Sequence, residues 1–312
     1  MTAGERTIPK VPLFGIGMSV TDYAAASDAI LAAARERRSY AVSALATHGL
    51  TVAARDPEFG LLVNSIDLVT PDGQPVRWAM NAVHGTELAE RVYGPDLVAA
   101  VCTEAAKEGM GVFLYGSTAE TCRAVAEELP RRYPGLRIAG IHPDRFRDAT
   151  PAEDAEDVRR IVESGADIVL VGRGCPRQER WVAQHRGVLP VPMLAVGAAF
   201  DYIAGNFPQP PRLMQRAGLE WLFPLSREPR RLFRRYLVHN SLFLLLLGRE
   251  LIEKRLRAST TCGWHRRRAA AGTGRRPRQP RGPRPGGIAG HSRGPGGCPE
   301  ACSPSPTRAC SP

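Results

Sequence analysis

Apolar runs of strand length alternate with helical repeats through most of this chain. The clearest strand-like runs are SYAVSALAT at Ser39–Thr47, GVFLYGS at Gly111–Ser117 and DIVLVG at Asp167–Gly172. Their Val, Ile and Leu residues leave no consistently polar face, which is typical of strands that are covered on both sides. Because helical repeats separate the runs, we predict an α/β fold with a mainly parallel, Rossmann-like sheet and helices on both faces.

Start and end signals place the individual elements. Thr21 or Asp22 can cap a helix that continues through an alanine-rich segment to Arg38, where basic residues suit the helix dipole. Further helices are predicted at Pro57–Asn64, Pro95–Lys107, Ala119–Arg132, Pro151–Ser164 and Gln178–Arg186. Further strands are predicted at Phe14–Val20, Ile66–Thr70, Arg137–Ile141 and Val191–Gly197.

The net charge of +11 is unevenly distributed along the chain and divides it into three parts. Residues 1–211 are net −5, and we predict that they form the α/β core. Residues 212–257 carry eleven Lys and Arg against four Glu, a net +7, and are predicted to form a basic helical C-terminal appendage. Residues 258–312 contain nine Pro and ten Gly and few large apolar side chains, so we predict a disordered tail.

Several protein classes are excluded or disfavoured. No apolar run reaches the ~20 residues of a membrane-spanning helix, and the N-terminus lacks a signal-peptide pattern, so we expect a cytoplasmic protein. Neither a Walker-type phosphate loop nor a complete dinucleotide fingerprint is present. No His and carboxylate cluster has metal-ligand spacing, and the scattered Cys102, Cys122 and Cys175 suggest buried thiols rather than disulfides.

Candidate chemistry lies where the predicted strands end, because ligands of parallel sheets bind beyond the carboxyl ends of the strands. Five such ends carry glycine or polar residues: LATHG, LVTPDG, FLYGS, LVGRGCPRQE and LAVGAAFD. Glycine just before a helix lets backbone N–H groups approach a phosphate. Each glycine is also explained by a simple turn, and Asp72 before Gly73 is a common turn pair.

The order of these motifs resembles one family throughout. THGL, PDG, RVYGPDL, FLYGS, YPGLRIAG, VGRGCPRQE, VGAAFD and GLEWLF follow each other as in the WecG/TagA/CpsF glycosyltransferases. The similarity extends from about Val11 to Leu251, and its most specific parts are Gly174–Glu179 and Glu220–Arg231.

This resemblance implies an inverting hexosyltransferase that needs no metal or other cofactor. Its expected donor is a UDP-sugar, with N-acetylmannosamine as the typical sugar. Its expected acceptor is GlcNAc linked to a polyprenyl diphosphate, in cell-wall or exopolysaccharide biosynthesis. The enzyme would work at the inner face of the cell membrane, as a peripherally associated cytoplasmic protein.

The resemblance also implies roles for individual residues. Asp72 matches the catalytic base, and Thr47 and Arg91 match residues at the sugar and at the donor diphosphate. Asp201 is expected to accept hydrogen bonds from uracil or ribose. The remaining core positions expected to contact the nucleotide, diphosphate or sugar are Gly116, Ser117, Gly174, Gln178 and Glu179. Local N-capping is the alternative for Glu179 and Asp201.

The appendage combines arginines with a short apolar run. Five arginines recur at spacings that place most of them along one side of a helix, before the run YLVHNSLFLLLL. This pattern suits a segment that meets anionic lipid and enters the membrane interface. The resemblance implies that this segment also covers the active site, with Arg230, Arg231 and Arg234 near the diphosphate. A helix that docks on the protein or in an oligomer is the alternative.

Some questions stay open at this level. The family often has Thr-x-Asn where this chain has Thr47-His48-Gly49, and Arg173 replaces a usual aliphatic residue, so the donor sugar is not fixed. A UDP-sugar epimerase or dehydrogenase on a similar fold is one alternative function. A basic nucleic-acid-binding protein is another, although no helix-turn-helix or aromatic RNA platform is present and no specific nucleic acid is expected. Homo-oligomerisation is also left open.

Overall fold

One parallel six-stranded sheet organises the protein. The computed structural model describes residues 7–209, 211, 213–214, 217–218 and 237–256. A short antiparallel hairpin of two strands precedes the sheet. The hairpin strands are β1 (Lys10–Leu13) and β2 (Ile16–Ser19). The sheet strands are β3 (Tyr40–Leu45), β4 (Leu68–Pro71), β5 (Gly111–Gly116), β6 (Arg137–His142), β7 (Ile168–Gly172) and β8 (Pro192–Ala195).

Helices connect the strands. They are α1 (Tyr23–Arg35), α2 (Thr47–Arg55), α3 (Pro57–Ser65), α4 (Gln74–His84), α5 (Gly94–Lys107), α6 (Ala119–Arg132), α7 (Pro151–Glu163), α8 (Arg177–Gln184) and α9 (Ala199–Ile203). Residues 237–256 are also helical, and we name this helix α10.

The sheet separates two hydrophobic cores. Its strand order is β4-β3-β8-β7-β5-β6, and every neighbouring pair is parallel. Successive residues of β7 alternate between the cores, with Val169 and Val171 in one and Ile168 and Leu170 in the other. The first core is closed by the hairpin and by α3, α4 and α8, and the second by α1, α5, α6 and α9. The prediction of a parallel sheet with helices on both faces is confirmed.

Most predicted elements are present, with corrections at the strand ends. The predicted strand Phe14–Val20 is too long, since the chain turns at Phe14 and Gly15 and forms the hairpin. The strand predicted to reach Thr47 ends at Leu45, because Thr47 already begins α2. Helices α2, α4 and α9 were not predicted. Asp22 rather than Thr21 caps α1, accepting a hydrogen bond from the N–H of Ala25 at 2.8 Å.

Helix α10 packs against the first core. Phe243 is buried there and meets Phe14 edge-to-face, with ring centroids 5.2 Å apart. The backbone N–H of Phe14 donates to Glu250 Oε1 at 2.8 Å, and Lys254 Nζ donates to the carbonyl of Ala82 at 3.0 Å. Residues 237–256 of the predicted appendage are therefore helical and docked. Arg230, Arg231 and Arg234 and the predicted tail 258–312 lie outside the described residues.

Candidate active site

The carboxylate of Asp72 lies at the carboxyl end of β4. Its Oδ1 accepts a hydrogen bond from the backbone N–H of Gly94, the first residue of α5, at 2.9 Å. The N–H of Asp72 in turn donates to the carbonyl of Leu45 at 3.4 Å, which ties the Asp72 turn to the end of β3. An N-terminal helix amide is a natural partner for a carboxylate. This contact therefore fixes the side chain at the junction of β3, β4 and α5.

Arg91 belongs to a loop that runs beside Asp72. The N–H of Val92 donates to the carbonyl of Pro71 at 3.0 Å, so the loop continues along the end of β4. Arg91 is buried, and its guanidinium lies 4.3 Å from the ring centroid of Tyr93, a cation–π distance. Arg91, the arginine predicted to bind the donor, thus lies on the loop that leads to Gly94, whose N–H donates to Asp72.

Thr47 is the first residue of α2 and lies across from Gly73. A Cβ added to Gly73 would lie 3.6 Å from the Thr47 hydroxyl. Two residues further along, a Cβ added to Gly49 would lie 2.6 Å from Leu45 Cδ1 and 3.1 Å from Cys175 Sγ. Glycine at position 49 is therefore explained by space, since a larger side chain would displace the buried Leu45 side chain or the Cys175 thiol.

The loop after β7 is braced by Gln178. Its Oε1 accepts from the backbone N–H of Gly174 at 3.1 Å, and its Nε2 donates to Glu179 Oε1 at 2.8 Å. Gly174 has φ +74°, a conformation that favours glycine, so the turn is fixed by both its backbone and this amide. The loop lies beside the end of β8, where a Cβ on Gly197 would come within 3.3 Å of Gln178 Oε1.

Glu179 is a buried carboxyl group beneath the site. It is 1% exposed, and Ser43 Oγ of β3 donates weakly to Oε1 at 3.5 Å. Burial raises the pKa of Glu179, because the charged form loses its hydration. Its Oε2 makes no hydrogen bond with any residue that the structure describes. The N-cap of α8 is Pro176, so the capping alternative is wrong for Glu179, while its predicted contact with substrate stays a prediction.

Gly116 and Ser117 lie at the end of β5, and Asp201 lies in α9, the helix that follows β8. A Cβ on Gly116, which has φ +113°, would lie 2.8 Å from the carbonyl group of Gly172, so only glycine fits between β5 and β7. The N–H of Ser117 donates to that same Gly172 carbonyl at 2.8 Å. Asp201 Oδ1 accepts from Asn206 Nδ2 at 3.0 Å and does not cap α9, so capping is wrong for Asp201 too. Tyr202, next to Asp201, lies near Tyr93 of the Arg91 loop, with ring centroids 6.3 Å apart, so α9 adjoins the loop that carries Arg91.

An ion-pair network joins the loops that follow β6 and β7. The side chain of Asp144 is almost completely buried and accepts two hydrogen bonds from Arg177, at 2.8 and 3.0 Å. It also pairs with Arg173, whose guanidinium lies 5.4 Å from the centroid of the Tyr115 ring. The unusual arginine at position 173 is therefore accommodated by an internal carboxylate and an aromatic face.

Gly218 and His239 each lie close to a helix that begins near Asp72 or Thr47. A Cβ on Gly218 would lie 2.7 Å from a ring carbon of Trp78 and 3.4 Å from Gln74 Cβ, in the first turns of α4. His239 Nδ1 lies 2.8 Å from Thr51 Oγ1 in α2. Helices α4 and α2 begin directly after Asp72-Gly73 and at Thr47, respectively.

Sequence reasoning did not identify Gly94 or His239 as parts of this region. Gly94 lies in the quoted RVYGPDL motif, and the following Pro95 is a signal for a helix start whose N–H groups could meet a carboxylate. His239 gives no comparable signal, since it is far from α2 in sequence.

The described residues contain neither a metal-binding cluster nor a membrane-spanning helix. No group of three or more His, Cys, Asp or Glu side chains is suited to hold a metal ion in the part of the chain that the structure describes. Across the same residues, no helix has the length and apolar content to cross a membrane.

Comparisons with known proteins point to one family. The family model of the glycosyl transferase WecG/TagA/CpsF family matches residues 11–257. An N-acetylglucosaminyldiphosphoundecaprenol N-acetyl-beta-D-mannosaminyltransferase of Bacillus spizizenii is 30% identical over 180 residues, which are 57% of this chain and 68% of that relative. A Bacillus subtilis protein with the same name is 28% identical over 178 residues, 57% of this chain and 67% of that relative.

Proposed function

Because the chain belongs to the WecG/TagA/CpsF glycosyltransferase family, we propose that it transfers N-acetylmannosamine from a UDP donor to GlcNAc linked to a polyprenyl diphosphate. The reaction would serve cell-wall or exopolysaccharide biosynthesis. The names of the two Bacillus relatives support both the sugar and the acceptor. The observation that carries the proposal is the carboxylate of Asp72, held by the amide of Gly94 at the carboxyl edge of the sheet.

Asp72 acts as the general base. An acceptor hydroxyl attacks the anomeric carbon, the bond from that carbon to the UDP oxygen breaks on the opposite face, and the hydroxyl proton passes to Asp72. The Gly94 contact supports this role because it limits the rotation of the carboxylate, and a fixed base needs less reorganisation in the transition state. Thr47 faces Gly73 on the same side and contacts the sugar.

The departing UDP carries negative charge that the protein must stabilise. Arg91 supplies a guanidinium next to the Asp72 loop, and its cation–π contact with Tyr93 holds it in place. Preorganised positive groups of this kind supply much of the catalysis in such a transfer. Asp201 accepts hydrogen bonds from uracil or ribose. The nucleotide side is formed by Gly116, Ser117, Gly174 and Gln178, with the buried Glu179 beneath them.

The appendage contributes further arginines to the leaving group. Arg230, Arg231 and Arg234 stand in the sequence between Gly218, which lies close to Trp78, and His239, which contacts Thr51. Trp78 and Thr51 belong to helices that start just after Asp72 and at Thr47. The contacts of these two flanking residues support a role for the arginines at the donor diphosphate.

The outer face of α10 supports peripheral association with the inner face of the cell membrane. Only part of the apolar run of this helix is buried. Phe243 lies in the core, whereas Leu244 and Leu245 are 67% and 72% exposed. Leu237 and Ile252 are exposed as well. A docked helix with an apolar outer face can enter the interface of an anionic bilayer and bring the site to a lipid-linked acceptor.

The test is direct product identification. The protein is incubated with a panel of UDP-sugars and polyprenyl-diphosphate-linked GlcNAc, and the mass of the lipid product is read. We expect a mass increase of one N-acetylhexosamine with UDP-N-acetylmannosamine, together with release of UDP. Product with a different UDP-sugar only would correct the donor, and the absence of lipid product with every donor would refute the function.

A charge substitution tests the appendage. Replacing Arg230, Arg231 and Arg234 by Gln should release the protein from anionic vesicles, at about 1 kcal/mol per charge, and lower turnover even on a short soluble acceptor. The matched control replaces Arg266, Arg267 and Arg268 by Gln, which removes the same charge from the predicted tail. We substitute these arginines and do not delete the chain after Leu225, because that deletion would also remove the core residue Phe243 and so would not test the arginines alone. Equal effects in both triple variants would contradict a specific role.

A further inference from the structure

His239 links the C-terminal helix to the helix that begins the sugar site. It lies one turn before the core residue Phe243, so the docking of α10 on the first core also places the imidazole against α2. Its Nδ1 is 2.8 Å from Thr51 Oγ1. Its ring meets the ring of His48 edge-to-face, with centroids 4.4 Å apart and an interplanar angle of 74°.

The hydrogen bonds of Thr51 define the direction of this contact. Thr51 is completely buried, and its hydroxyl donates to the carbonyl of His48 at 2.9 Å. A hydroxyl has one proton, so the proton shared with His239 must come from the imidazole, and His239 Nδ1 donates to Thr51. Two linked hydrogen bonds, from His239 to Thr51 and from Thr51 to the His48 carbonyl, therefore connect α10 to the first turn of α2.

That first turn is enclosed from two sides. On one side Gly49 packs against Leu45 and Cys175 with no room for a side chain. On the other side the ring of His48 and the carbonyl of His48 are both held by the His239 and Thr51 pair. Thr47 is the residue immediately before His48, and its hydroxyl faces Gly73.

We propose that His239 is a positioning residue for the sugar site, acting through Thr51 and His48 on the first turn of α2 and thus on Thr47. This role rests on the proposed function, in which Thr47 contacts the donor sugar. It makes α10 part of the active site rather than only a membrane-facing support. Small displacements of a positioned group are costly in turnover, which is why a residue without substrate contact can matter.

The decisive experiment compares four variants on a soluble acceptor. His239→Ala removes the donor, Thr51→Val removes the hydroxyl that receives it, and the double variant removes both. His239→Asn retains an N–H that can reach Thr51. Turnover and KM for the UDP-sugar are measured together with the affinity for UDP, which lacks the sugar. Lys254→Ala is the control, because it removes a contact of α10 with the body at the opposite end of the helix.

We expect turnover to fall about tenfold in His239→Ala, in Thr51→Val and in the double variant alike, because all three break the same linked contact. UDP affinity should stay unchanged, His239→Asn should recover most of the turnover, and Lys254→Ala should match wild type. If His239→Ala does not fold, the turnover and UDP affinity of Thr51→Val test the proposal.

Two results would overturn the proposal: wild-type turnover in the folded variants, or equal losses of turnover and UDP affinity. An inactive wild-type protein would instead refute the proposed function and this role with it.

Discussion

The carboxyl edge of the sheet has two unlike halves. After β5 and β6 the chain enters helices whose N-cap residues, Thr118 and Thr150, accept hydrogen bonds from first-turn amides. After β4, β3, β8 and β7, which are neighbours in the sheet, the N-cap residues provide no side-chain cap. Those N-cap residues are Gly73, Ala46, Ala198 and Pro176.

Two carboxylates that follow β6 can be compared with Asp72. Asp157 beneath the β6 side is held by Arg145 at 2.5 and 2.8 Å, and Asp144 by Arg173 and Arg177. Asp72, at the end of β4, is oriented by a backbone amide, which brings no formal charge to the contact. The two carboxylates that follow β6 are therefore paired with arginines, and the Asp72 carboxylate accepts from a backbone amide at the start of α5. Substitutions should therefore separate turnover from stability.

The largest effect is expected for Asp72→Asn. Turnover should fall about 10²–10⁴-fold, because the amide cannot accept the acceptor proton, while UDP affinity and the unfolding temperature change little. Steady-state kinetics, calorimetric UDP titration and thermal unfolding measure the three quantities. Asp28→Asn, on an exposed position of α1, is the control. Turnover close to wild type in Asp72→Asn would remove Asp72 from the mechanism.

The next effect is a loss of stability in Asp144→Asn. Two arginines would lose their buried counter-charge, so the free energy of unfolding should fall by about 3 kcal/mol. Urea unfolding measures this value, and turnover of the folded enzyme should change far less. Glu108→Gln is the matched control, since it breaks an exposed ion pair with Arg35 and should cost less than about 1 kcal/mol. An equal decrease in the free energy of unfolding in both variants would show that the buried Asp144 pairs contribute no more than the exposed Glu108 pair.

The smallest effect is expected for Arg91→Ala. The donor diphosphate is charged in both the bound substrate and the transition state, so UDP affinity and turnover should both decline. A decrease of about tenfold in UDP affinity corresponds to about 1.4 kcal/mol and is measurable by titration calorimetry. Unchanged UDP affinity would place Arg91 outside the donor pocket and leave it as support for Tyr93.

Capping residues account for part of what could be predicted. Helices α1, α6 and α7 carry side-chain caps at Asp22, Thr118 and Thr150, and sequence signals located all three. Helices α2, α4 and α9 begin without such a cap, at short Gly- or Ala-containing turns, and were missed. Helices α5 and α8 also begin without a side-chain cap and were predicted nonetheless, so a capping residue helps to locate a helix start but is not required for it.

Asp72, Thr47 and Arg91 were assigned through the family resemblance, and their roles stay predictions. The hydrogen bonds from Val92 to Pro71 and from Gly94 to Asp72 place the Asp72 motif beside the Arg91 motif. Other pairs, such as Arg173 with Asp144 and His239 with Thr51, depend on distant segments meeting across strand ends or helices. Periodicity and capping rules apply to residues that are close in sequence. They therefore give no indication that residues as distant in sequence as His239 and Thr51 are in contact.

The contact between the hairpin and α10 has a consequence for the order in which the chain can fold. The N–H of Phe14 and the Glu250 carboxylate that accepts from it are 236 positions apart in sequence. The buried residues of the second core all precede residue 204, so that core can assemble on a growing chain before α10 is synthesised. The first core cannot, because Phe243 belongs to it. Contacts of such long sequence separation form slowly, so the face of the sheet that supports α2 and α4 is the last to close.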